Sequence, residues 1–61
     1  MANLSAKELS AIQDHLGVEQ NLIKKYNMFA GSSKDQCIKT KFEQIASRHQ
    51  QHYDTLLSHL N

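Results

Sequence analysis

Phe29-Ala30-Gly31-Ser32-Ser33-Lys34-Asp35-Gln36 decides the fold, because one helical apolar pattern stops in this stretch and another starts. Gly31 stands where a left-handed residue at a helix C-terminus is wanted. Ser33-Lys34-Asp35-Gln36 then has the form of a capping box, with Asp35 well placed against the helix dipole in a first turn. The spacing predicts a first helix ending near Ala30 and a second beginning near Ser33 or Lys34, and a connection of about three residues forces the two to run antiparallel.

Upstream, Leu4-Ser5-Ala6-Lys7-Glu8-Leu9 carries Ser at the cap, Glu three residues on and Leu on both flanks, a capping box inside a hydrophobic staple. From there Leu9, Ile12, Leu16, Ile23 and Tyr26 recur at steps of three and four, with Leu22 and Phe29 beside them. Downstream, Ile38, Phe42, Ile45, Leu56 and Leu60 keep the same spacing, flanked by Ala46, Tyr53 and Leu57. The expected fold class is all-α: residues 1–61 as a single antiparallel helical hairpin, helix 1 over about 5–30 and helix 2 over about 34–60. Proline is absent and Gly17 falls on the polar face of helix 1, where a glycine lowers helix stability by about 1 kcal/mol relative to Ala.

Size turns the hairpin into an argument for self-association. A 61-residue chain buries only about 60% of the surface its unfolded form exposes. The usual remedies are disulfides, a metal or a partner, and the single Cys37 excludes a disulfide within one chain. The expectation is therefore a homodimer or higher homo-oligomer, two hairpins making a four-helix bundle. Seven Lys and Arg against six Asp and Glu, with no dense basic stripe, argue against a nucleic-acid partner. No apolar run reaches the roughly 20 residues that span a bilayer, and Met1-Ala2-Asn3-Leu4 lacks the form of a signal peptide, so a cytoplasmic protein is expected.

The residues that break the apolar stripes carry the chemistry. In helix 1 the series Leu9, Ile12, Leu16 continues to Glu19, which therefore points inward. In helix 2 the series Ile38, Phe42, Ile45 continues to His49 and His52, two imidazoles one turn apart on the inner face. With His15 and Glu8 at the border of the helix 1 stripe, the candidate ligands are Glu19, His49 and His52 first, His15 and Glu8 second. Nitrogen and oxygen donors converging from facing helices suit a transition metal such as Zn or Fe, or Mn. The same groups can instead hydrogen-bond one another and fix register without any metal. At about 1.5 Å rise per residue, Glu19 should lie about 15 Å from the loop and His49 about 21–23 Å, so His49 should face His15 within a chain. A head-to-tail partner would then be needed to bring Glu19 level with the other chain's His49.

The other polar residues have simpler readings. A capping box accounts for Glu8, and His59 near the terminus is expected to be solvated. Cys37, in the first turn of helix 2, is either a small apolar filler or a thiol whose pKa the helix dipole lowers. Tyr26 and Tyr53 fit core-edge aromatics with wet hydroxyls, and the lysines at 24, 25, 39 and 41 a solvated face. A Gly-rich phosphate loop, a nucleophile elbow, Cys-x-x-Cys and His-Glu-x-x-His are all absent from the sequence, so it is not expected to be an enzyme.

Leu4-Ser5-Ala6-Lys7-Glu8-Leu9, Glu19-Gln20-Asn21-Leu22-Ile23-Lys24-Lys25-Tyr26 and His49-Gln50-Gln51-His52-Tyr53 together resemble short spore coat protein F-like proteins, related to the ferritin-like superfamily. The resemblance covers nearly the whole chain. It implies a non-enzymatic structural or assembly role, made in the cytoplasm of the mother cell and ending in the spore coat, with other coat proteins as partners beside the chain itself. It also implies a ferritin-like half-bundle that dimerises and carries metal for storage or redox chemistry. That superfamily sets an inward Glu on one helix against Glu-x-x-His on the next. Glu19 matches the first element, whereas His49-Gln50-Gln51-His52 places His49 where the bridging Glu belongs. A mononuclear Zn, Ni or Cu site, or no metal, suits these donors better than a di-iron site. An adaptor whose seam receives a helix of another protein is the remaining alternative.

Overall fold

The computed structural model describes residues 4–60; Met1, Ala2, Asn3 and Asn61 lie outside the described residues, and with them the ends of the expected 1–61 span. Two helices, α1 over Ala6–Ser32 and α2 over Gln36–Ser58, make an all-α hairpin. It is antiparallel, since successively later residues of α1 meet successively earlier residues of α2: Gln20 meets Tyr53, and Phe29 meets Phe42. Neither helix is long and apolar enough to cross a membrane.

The start of α1 is the expected one. Ser5 is extended, its Oγ accepts from the Glu8 backbone N–H at 3.1 Å, and its own N–H donates to Glu8 Oε1 at 3.1 Å. Two of the donors that a helix N-terminus leaves unpaired are thereby satisfied.

The loop differs from expectation at both of its edges. Gly31 has no positive φ and continues α1, which ends at Ser32 with an extended Ser33 as its C-cap. The cause lies in Ser32, whose Oγ donates to the carbonyls of Met28 and Phe29 at 3.1 and 3.3 Å and so supplies the partners that a glycine turn would have provided. The second cap is Asp35 and not Ser33. The Asp35 carboxylate accepts from the N–H groups of Cys37 at 2.8 Å and Ile38 at 3.1 Å, while the Ser33 hydroxyl turns to the Asp35 carbonyl. α2 stops at Ser58, and His59 and Leu60 form a final turn through bonds to the carbonyls of Leu56 and Leu57.

These shifts reset the register. Glu19 is thirteen residues before Ser32, and His49 is thirteen residues after Gln36. Both therefore lie about 20 Å from the loop at 1.5 Å per residue. The expected mismatch between them disappears, and no second chain is needed to align them.

Packing between the helices is thin. On the loop side Tyr26 meets Phe29 edge-on at 5.9 Å and stacks on Phe42 at 5.9 Å, and Phe29 meets Phe42 at 5.4 Å. Such pairs contribute about 0.5–1.5 kcal/mol each beyond the area they bury. Ala30 and Ala46 are the only buried apolar residues among those described, and no large side chain is fully buried. Leu9, Val18, Met28, Phe29, Ile38 and Leu57 remain exposed. The chain exposes 4687 Å², against roughly 4,000 Å² for a compact protein of 7.0 kDa. Its radius of gyration is 14.3 Å, against about 10.5 Å for a compact domain of this length.

Candidate functional site

The midpoint of the hairpin is polar. Glu19 is only 3% exposed, the one buried charged residue among those described. It occupies the inner stripe of α1 between Leu16 and Ile23, which carries its carboxylate into the seam with α2. His49 Nδ1 lies 3.0 Å from Glu19 Oε1 and 3.2 Å from Oε2, so a protonated Nδ1 donates to the carboxylate. The His49 ring is nearly parallel to that of Tyr26, with centroids 6.0 Å apart, which holds the imidazole flat against the aromatic cluster.

His52, one turn further along α2, brings Nδ1 to 3.4 Å from Glu19 Oε2. At that length His52 is a looser partner of the carboxylate than His49. The two imidazoles meet edge to face, centroids 5.5 Å apart. His15, one turn before Glu19 on α1, presents Nε2 at 4.0 Å from Glu19 Oε1. His15 and His52 are exposed, and with Thr55 and Leu56 they line a shallow groove of about 290 Å³ through which solvent reaches the cluster.

The expected first-rank set is thus brought together, but within a single chain. The pairing of His49 with His15, and the need for a partner to deliver Glu19, are corrected by the direct Glu19–His49 bond. Of the second rank, His15 is beside the cluster, whereas Glu8 is held in its capping box. The hydrogen bonds Glu8 makes with Ser5, first the Ser5 backbone N–H and then the Ser5 hydroxyl, hold its carboxyl below the ordinary range. Cys37 is exposed, so it fills no gap in the core. His59 is also exposed, its Nδ1 2.9 Å from the Thr55 carbonyl oxygen.

A feature that periodicity did not reveal is the bond from Gln20 Nε2 to the Tyr53 hydroxyl at 3.3 Å, on a groove that also includes Ile23, Lys24 and Gln50. Gln20 sits on the polar side of α1, and only the register makes it a cross-helix partner. Lys25 lies over the rings of Tyr26 and Phe29, at 5.6 and 5.9 Å from their centroids, and extends the aromatic cluster by cation–π attraction.

Chemically the cluster offers one carboxylate and two imidazole nitrogens within 4.8 Å of one another. A pair of metals bridged by carboxylates is not what these residues fit, since Glu19 is the only acidic member. Set against known proteins, the chain matches no family model, no curated protein and no solved structure.

Proposed function

We propose that this chain is a non-enzymatic assembly protein, a half-bundle that pairs with a second copy of itself to make a four-helix bundle. The observation that carries this reading is that large apolar side chains stay exposed on both helices, with no large side chain fully buried anywhere among the described residues. On α1, Val18, Leu22 and Phe29 follow at steps of four and seven on one face, a second and partly open seam beside the one that meets α2, in which Val18 and Phe29 stay exposed although Phe29 also touches Phe42. Two helices cannot enclose both seams, whereas four can. A second copy suits the seam because the net charge of +1 opposes association only weakly.

The similarity of the Leu4–Leu9, Glu19–Tyr26 and His49–Tyr53 segments to short spore coat protein F-like proteins supports a place for this assembly in a spore coat, built in the mother cell beside other coat proteins. Sedimentation equilibrium of the untagged chain is the test. The reading predicts a mass about twice 7.0 kDa or a higher multiple. A monomer with a broad, uncooperative melt would overturn it, and a monomer that becomes ordered only with a helix of another protein would identify an adaptor instead.

A further inference from the structure

We infer that Glu19, His49 and His52 bind a single divalent transition-metal ion of the zinc class within one hairpin, with His15 beside them as a fourth donor. This rests on the interior of one chain and does not depend on self-association.

The donor set comes first. Two imidazole nitrogens and one carboxylate oxygen suit the borderline ions Zn, Co, Ni and Cu, whereas Mg and Ca prefer oxygen throughout. Spacing agrees with the donors. An ion about 2.0–2.2 Å from each ligand puts neighbouring ligand atoms roughly 3.0–3.5 Å apart at tetrahedral to octahedral angles. To the single oxygen Glu19 Oε2 the separations are 3.2 Å from His49 Nδ1 and 3.4 Å from His52 Nδ1. A small rotation of the exposed His52 closes the remaining separation.

A hydrogen-bonded network alone accounts for less of the arrangement. One imidazole already satisfies Glu19, because His49 Nδ1 lies within reach of both carboxylate oxygens. The second, His52, brings Nδ1 to 3.4 Å from the same carboxylate, a long contact that an ion held between the two would replace. The carboxylate is buried and His49 is held against Tyr26, so two donors are preorganised. His52 and His15 border open solvent, which supplies both a route for the ion and mobile ligands to close over it. An ion that binds only the folded hairpin would also stabilise a chain with little core.

Calorimetric titration of the untagged, EDTA-treated protein with Zn²⁺, together with visible absorption on adding Co²⁺, tests the site. One ion per chain is expected, with Tm rising by about 10 °C at saturating Zn²⁺, and Mg²⁺ should not bind. His52→Ala alters an exposed side chain and keeps the fold, yet should weaken Zn²⁺ binding at least tenfold. Glu19→Gln should do the same, and His15→Ala should weaken it less. Cys37→Ser/His59→Ala should bind as the parent chain does. Absence of saturable binding, one ion per two chains, unchanged affinity in His52→Ala, or loss of binding in Cys37→Ser/His59→Ala would each overturn the proposal.

Discussion

The two halves of the hairpin, divided at the Glu19–His49 pair, are held by different means. On the loop side Tyr26, Phe29 and Phe42 interlock, and both buried alanines lie there. On the open side no residue before Glu19 or after His49 is buried among those described, and Leu9 and Leu57 face solvent. The sequence is about as apolar on one side as on the other, so hydrophobicity alone does not explain the contrast. Three rings converge on the loop side, and a three-residue loop tethers only that end. The loop half is tied across the seam by its rings and the open half is not, yet each half leaves three large apolar side chains exposed: Met28, Phe29 and Ile38 against Leu9, Val18 and Leu57.

Variants can break that contrast in order of expected effect. His49→Leu removes the hydrogen-bond donor from a buried carboxylate and should destabilise the chain by about 3 kcal/mol in urea unfolding, whereas Glu19→Leu/His49→Leu should be neutral or stabilising. Equal losses in the two would mean that the boundary acts through packing and not through charge.

Phe42→Ala comes next, at about 2–3 kcal/mol because the ring is only half-buried, while Leu57→Ala in the open half should fall below 1 kcal/mol in dilute protein. If Leu57→Ala matched Phe42→Ala there, the two halves would be equally packed.

Ser5→Ala should lower stability by about 1 kcal/mol in the same unfolding assay. The partner of that serine adds a pH signature. The folded-state pKa of Glu8 is lowered from 4.5 by its bonds to Ser5, so its contribution is present above 4.5 and lost as pH falls through the lower folded value. Stability of the parent chain should decline over that acid range; Glu8→Gln should remove this decline, and Ser5→Ala should reduce it only in part, because alanine keeps the backbone N–H that is the larger cause. Last, a Cβ at Gly17 meets nothing within 4 Å, so Gly17→Ala should raise Tm, adding just under about 1 kcal/mol.

Much of this was legible in the residues themselves. The Ser5–Glu8 box, both helices, and the inward Glu19, His49 and His52 follow from spacing, because helical period and capping chemistry are local. The register does not. It turned on whether Gly31 would end α1 and whether Ser33 or Asp35 would cap α2. At both edges the side-chain bonds are those of the Ser32 hydroxyl and the Asp35 carboxylate, which helical periodicity does not rank against their alternatives. A shift of about two residues at each edge moves a site by about 3 Å along each helix. That was enough to turn an expected two-chain site into a one-chain cluster.

The most direct test of self-association is the thermal melt of the untagged chain over a hundredfold range of concentration. A second copy that covers the exposed apolar side chains stabilises by mass action, so Tm should climb steadily with chain concentration. A Tm that stays constant across that range, with a sharp melt throughout, would show that one hairpin is complete by itself and would contradict the account.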